Sequence, residues 1–416
     1  MRKRIDRIAF SFFLDYIFVF LVVYFSRSMW LSIPSLIWID RFFKVLFFIV
    51  TLCQVLFSKE IRITKSRVAI IVCLCGYFLL FSVIRPINIQ AYLTTVYLLL
   101  LVVTYVWCKK ADKVAGLLYK YERIIILIAG ISLFFWIFGS VLKIVHPSGS
   151  IETTWSGTDD LLVLPTYYYL YFEPRGLTVI QSVSLLRNIA VFTEAPMCSF
   201  HVVVALLIEL FIQRKSKRVR LFILLAALIT TISMTGYICA SIAFFAKYVY
   251  SKNNNHRLIK VIKYASIPLA ILILAYLVRM FLSQRSNTGS GNIRIDDFRA
   301  GYKAWMDNIL FGNGYGNAES YIKYMSAFRI QNRGFSNSVM QLLAYGGLYL
   351  FMPFLLAIIY GIRSLIHDRN KLSLMLIFLL MYTFTVVPYQ PISILIFAWF
   401  TSQITDKRTV LIERYI

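Results

Sequence analysis

Two groups of residues in this chain have the types and spacing to do chemistry. The first lies between Arg285 and Gly347. It reads Arg294-Ile-Asp296-Asp297-Phe-Arg299, then Tyr302-Lys303-Ala-Trp305, then Gly312-Asn-Gly314-Tyr-Gly316, and closes on Phe335-Ser336-Asn337. Seven cations (Arg285, Arg294, Arg299, Lys303, Lys323, Arg329, Arg333) face four carboxylates (Asp296, Asp297, Asp307, Glu319). The planar fork of arginine suits phosphate oxygens, so a diphosphate is one partner this stretch could hold. A solvated loop lying on lipid headgroups is the other reading. Ser336 and Asn337 would cap the next helix, whose N-terminus adds to an anion site. The second group runs from Arg175 to Pro196. Arg175 and Arg187 could bind substrate, and Thr193-Glu194-Ala-Pro196 has the form of a helix start. Glu194 is therefore either a plain helix cap or a general base at the mouth of that helix.

Just before it stand Trp155 and the run Tyr167-Tyr168-Tyr169-Leu-Tyr171-Phe172. Aromatic faces stack on the C–H faces of sugar rings, and their polar tips bond hydroxyls. Tyr168 and Trp305 are candidate sugar contacts on that ground, although an aromatic belt at a membrane surface would look the same. No P-loop, His-Glu-x-x-His, Cys-x-x-Cys pair or Gly-x-Ser-x-Gly is present. The Gly312-x-Gly314-x-Gly316 run follows no predicted strand, which argues against a dinucleotide site. Asp296-Asp297 is expected to pair with Arg294 or Arg299 and orient it. No metal and no cofactor is expected, because the cations already supply positive charge.

The elements that must position these residues are membrane spans. Of 416 residues, 59% are apolar and 16% aromatic, and apolar runs near the length of a bilayer crossing recur along the chain. The runs predict an all-α, polytopic membrane protein of about twelve transmembrane helices: near 8–25, 42–58, 67–84, 90–108, 122–144, 193–213, 219–234, 236–250, 259–281, 337–361, 371–387 and 391–405. The whole chain, 1–416, reads as one multi-pass domain. Alternate connections are rich in Lys or Arg, which puts both ends in the cytoplasm and leaves long outside loops at 145–192 and 283–336. The net charge of +25 is explained by these cytoplasmic loops and by anionic lipid, so no nucleic-acid partner is expected. The six cysteines lie in or beside the apolar runs and read as free, buried thiols. Gly346-Gly347 permits close contact along the helix that holds it.

In combination these elements resemble a known family. Arg187…Phe192-Thr-Glu194-Ala-Pro196 resembles its "Arg … Glu-Pro" element, and Ser233-Met-Thr-Gly236 its "Ser-x-x-Gly" turn. Arg294…Trp305…Gly312-x-Gly314-x-Gly316…Ser336-Asn337…Gln341…Gly346-Gly347 resembles its large outer loop and following helix. The family is the O-antigen polymerase and ligase superfamily, and the resemblance covers roughly residues 120–405. Ligases typically have His-Asn where Ser336-Asn337 stands, and Ser-Arg where Ser233-Met234 stands, so the Wzy-type polymerase is favoured. The resemblance implies a multi-pass, GT-C-like glycosyltransferase of the bacterial inner membrane that acts on undecaprenyl-diphosphate-linked oligosaccharides. It would make O-antigen or another surface polysaccharide by moving the growing glycan from its lipid diphosphate to another lipid-linked unit in the periplasm. Membrane lipid and a chain-length regulator are the further partners implied. Glu194, Arg294 and Arg299 are the expected catalytic residues. Arg175, Arg187, Arg333, Ser336, Asn337, Tyr168 and Trp305 are the expected substrate contacts. An O-antigen ligase and a lipid-linked oligosaccharide flippase remain the alternatives.

Overall fold

The computed structural model describes residues 2–58, 63–85, 88–153, 161–174, 177–180, 183–213, 216–249, 290–329 and 333–413. The expected span at 259–281 and the candidate Arg175 lie outside the described residues. Each of the other apolar runs forms a helix: α1 (Arg2–Tyr24), α2 (Ile37–Phe57), α3 (Lys65–Ile84), α4 (Ile89–Cys108), α5 (Ala111–Phe135), α6 (Ala195–Phe211), α7 (Arg218–Thr230) and α8 (Met234–Phe244), then α10 (Ser338–Leu365), α11 (Arg369–Thr383) and α12 (Pro391–Glu413). The basic stretch adds α9 (Ser290–Asp307).

Four segments (Lys65–Ile84, Ile89–Cys108, Lys113–Val141 and Ser338–Leu365) are long and apolar enough to cross a membrane. Their surroundings agree with that. Helix α3 exposes Val68, Ile70, Val72, Leu80 and Val83, and α2 exposes Trp38, Phe42, Val45 and Phe48. Contiguous apolar faces of this extent belong against lipid, not water. Two charged residues within the apolar helices, Asp15 of α1 and Glu209 of α6, are both paired. Asp15 takes an ion pair from Lys120 at 2.8 Å and one from Lys109, which ties α1 to α4 and α5. Arg220 lies 3.6 Å from Glu209.

Helix α6 is the hub. Every residue from Met197 to Phe211 is buried, and it packs against α5, α7, α8 and α11. An apolar sequence without a polar stripe has no face to offer solvent and so goes to the middle. Among its few polar residues, His201 is satisfied: Tyr121 Oη lies 2.8 Å from one ring nitrogen and the Ser26 carbonyl 3.2 Å from the other. All six cysteines are free. Cys108, Cys198 and Cys239 are buried as expected, whereas Cys73 lies on the exposed face of α3.

The all-helical expectation needs correction in the loop at 145–192. Strands β1 (Gly149–Thr153), β2 (Leu162–Tyr167) and β3 (Tyr171–Phe172) form an antiparallel sheet, and β4 (Leu177–Ile180) pairs with β5 (Val183–Leu186). Val163-Leu164-Pro-Thr166-Tyr167 carries the β-branched and aromatic residues that favour strands, but the apolar helices on either side dominate the composition. The aromatic run divides here. Tyr167 and Tyr171 are buried against Phe135, while Tyr168 and Tyr169 form the turn with positive φ and face outward.

Helix α10 is broken at Gly347, where φ is 56° and ψ −155°. The break frees backbone groups that the glycine-rich loop then satisfies. Leu348 and Tyr349 amides donate to the Ile309 and Leu310 carbonyls at 2.9 Å, and Asn313 and Gly314 amides donate to the Ala344 and Tyr345 carbonyls at 2.9 Å. A kinked helix at membrane depth requires such partners. Side chains are excluded at the contact: a Cβ on Gly347 would sit 2.5 Å from the Leu310 carbonyl oxygen, and one on Gly312 2.5 Å from the Gly346 amide nitrogen. The loop glycines therefore serve close backbone approach; the Gly346-Gly347 pair, expected to permit close helix contact, instead admits this loop at a break in the helix.

Candidate functional site

The site forms where four distant segments meet at the N-terminal end of α6. Glu194 occupies the N-cap position, with Pro196 in the first turn, yet its side chain makes no cap hydrogen bond. Plain capping therefore does not account for it. Its carboxylate instead meets Arg27, with Nη2 3.3 Å from Oε1. Arg27 follows directly on α1, in the left-handed region at φ 55°, which is costly for a side-chain-bearing residue and requires support. The support is visible. Its Nη1 donates to the Val386 carbonyl at 2.7 Å, its own carbonyl accepts from the Thr193 amide at 3.2 Å, and Met29 N–H donates to Val191 at 2.7 Å. Segments 27–29 and 191–193 thus run side by side, and this places Arg27 beside Glu194.

Arg187 and Arg294 also feel the charge of Glu194, and segment 231–236, which leads into the first turn of α8, holds both. Arg187 donates through Nε to the Thr231 carbonyl at 2.9 Å and through Nη2 to the Ile232 carbonyl at 3.0 Å. Arg294 donates through Nη1 to Thr235 Oγ1 at 2.6 Å. The start of α8 lies tight on α6 because Gly236 has no side chain; a Cβ there would fall 2.0 Å from Ser199 Oγ. Asn188 adds a tie, donating to Ser132 Oγ at 3.1 Å and Thr230 Oγ1 at 3.0 Å.

Burial lowers the pKa of all three arginines from their ordinary value, and Glu194 pulls each back up. Arg187 also feels the like charge of Arg294. Three guanidinium groups around one carboxylate leave an excess of positive charge in a desolvated mouth, which is a setting for an anion.

The remaining expected residues separate into supports and outliers. Asp296 and Asp297 were expected to orient Arg294 or Arg299; their hydrogen bonds go elsewhere. Buried Arg329 lies 2.7 Å from Asp297 and 3.6 Å from Asp296. Asp297 further accepts from the Ser336 hydroxyl at 2.6 Å and amide at 2.9 Å, and Asp296 from the Ser326 hydroxyl at 2.6 Å. Burial raises the Asp297 pKa, while Ser336 and Arg329 oppose that shift. Asp297 acts on Arg294 only through space. Ser336 is thus a support of the loop, and Asn337 is the cap of α10, accepting from the Met340 amide at 2.9 Å. Trp305 donates to the Ile309 carbonyl at 3.0 Å. Arg299, Arg333 and Tyr168 are exposed and are not brought to the cluster. Among the described residues no group of three or more His, Cys, Asp or Glu is arranged to hold a metal ion.

Sequence reasoning passed over Arg27. A lone arginine in a short connection between two apolar runs was its only signal. Arg329 was visible as one of the seven cations, but nothing in its spacing singled it out as the partner of the two aspartates. No family model matches this chain, and no curated protein is similar to it.

Proposed function

We propose that this chain is a polymerase of undecaprenyl-diphosphate-linked oligosaccharide repeat units. Its described helices and the span expected at 259–281 cross the bacterial inner membrane about twelve times, with both ends in the cytoplasm. Loops 145–192 and 283–336 then lie in the periplasm, and the mouth of α6 opens there. The observation that carries this reading is the grouping of Arg27, Arg187 and Arg294 near enough to Glu194 for its charge to act on each of them. A glycosyl diphosphate already has a good leaving group, so an enzyme must neutralise the departing charge and orient an acceptor hydroxyl. Arg187 and Arg294 take the diphosphate. Glu194, held by Arg27, takes the proton as the acceptor oxygen bonds to the anomeric carbon and the bond to the diphosphate breaks. The products are a longer lipid-linked glycan and free undecaprenyl diphosphate.

Deletion of the gene tests this against the ligase alternative. For a polymerase, the deletion strain should carry surface glycans of one repeat unit only. Full-length polymer accumulating on undecaprenyl diphosphate would mean that polymerisation lies elsewhere and would favour a ligase.

A further inference from the structure

Helix α9 is inverted for a segment surrounded by water. The face it turns toward α10 is made of Ala300, Gly301 and Ala304, with Asp296 and Asp297 beside them, and all five are buried. The fit is close: a Cβ on Gly301 would sit 2.6 Å from Met340 Cβ. The large apolar residues point the other way. Ile295, Phe298, Tyr302 and Met306, with Ile309 and Leu310 just past the helix end, are 38–63% exposed. Spacings of three and four residues put the first four on one stripe. A helix facing water hides such a stripe against its own core.

Cations flank the stripe. Arg299 and Lys303, each four residues from the next polar or apolar neighbour in its row, are exposed and pair with no carboxylate among the described residues. Asp307, next in their row, is taken by Lys323 at 2.8 Å. Both ends of α9 are tied to the apolar helices. Arg294 donates to Thr235 in the first turn of α8, and the Ile309 and Leu310 carbonyls accept from Leu348 and Tyr349 at the break of α10. From that break the apolar surface continues. Tyr349 stacks on Tyr77 of α3 with ring centroids 4.2 Å apart, and Met352 and Leu356, farther along α10, are exposed.

We infer that α9 lies on the membrane surface, with its apolar stripe in the boundary between headgroups and acyl chains and with Arg299 and Lys303 on lipid phosphates. That arrangement suits an amphipathic helix edged by cations, and Tyr302 and Trp305, with ring centroids 6.0 Å apart, are residue types enriched in this layer. A protein partner would also cover the stripe, but the stripe runs on into the apolar face of the helices that lipid covers. The contact gives the unused cations of the basic segment a task and holds Arg294, on the same helix, at headgroup depth. On the polymerase reading that is the depth of a lipid-linked diphosphate. The lipid contact itself does not depend on that reading.

The test places the photoreactive residue p-benzoylphenylalanine at position Phe298 or Tyr302 of the full chain. The protein is held in lipid discs of phosphatidylcholine with a minor share of phosphatidylglycerol. Irradiation should give lipid adducts at both positions, identified by mass, with phosphatidylglycerol enriched roughly three- to tenfold over its share of the disc. Arg299→Gln together with Lys303→Gln should remove the enrichment while the adducts persist, with an unchanged melting temperature. The assignment is overturned if neither position gives a lipid adduct, or if the adducts are with protein. It is also overturned if phosphatidylglycerol is not enriched, or stays enriched after both cations are lost. The polymerase reading is judged separately, by the glycan length of the deletion strain.

Discussion

Arg294→Ala should abolish polymer in cells while the protein still inserts at its normal level. Arg294 is anchored by Thr235 and feels the charge of Glu194, in a half-buried mouth where a guanidinium acts on charge more strongly than it would in water. Removing one preorganised donor to a developing negative charge costs about a hundredfold or more in rate. Arg294→Lys should recover little, because lysine keeps the charge but loses the planar fork. Glycan length on gels reads the result. Full-length polymer from the alanine variant would remove Arg294 from the site. Arg299→Ala, a change at an exposed cation five residues further along α9, provides the comparison and should leave the protein's stability within about 0.5 kcal/mol of wild type.

Arg329→Ala should be the most destabilising single change in the basic segment. Arg329 is 2% exposed and Asp297 fully buried, so losing the guanidinium leaves a buried carboxylate without its ion pair. Breaking such a pair costs roughly 3–5 kcal/mol. The effect should centre on the segment from α9 to Ser336, because Arg329 also donates to the Ile293 and Gly334 carbonyls. Limited proteolysis in detergent should then cut between 290 and 336 well before it cuts the wild type. Cleavage at the wild-type rate, with an unchanged melting temperature, would show that the Asp296–Asp297–Arg329 cluster does not hold this segment in place.

Much of the framework is legible in the residues. Runs such as 67–84 and 90–108 contain no proline and few charges, and they appear within a few residues of their expected ends as α3 and α4. Glu194 followed by Pro196 marks the start of α6, whereas Ser233-Met-Thr-Gly236, expected as a tight turn, is the N-cap and first turn of α8. The parts that were hidden depend on long-range contact. Nothing near Arg27 in sequence shows that it will meet Glu194, since the left-handed backbone that aims it is fixed by pairing with 191–193. Asp296 and Asp297 look like partners for the arginines beside them. They lie instead on the buried face of α9 against a segment some thirty residues on, and Arg329 is the cation found there. The strands between 149 and 186 are short and flanked by stronger helical signals.

The most direct test of the central claim is polymerisation by the purified chain in lipid vesicles, with lipid-linked repeat units as the sole substrate and excess EDTA present. The account predicts polymer at nearly the untreated rate, with one undecaprenyl diphosphate released for each new linkage. A reaction that stops in EDTA and returns with magnesium or manganese would contradict transfer supported by the arginines alone. Absence of both polymer and released diphosphate under every condition would contradict the assignment as a polymerase.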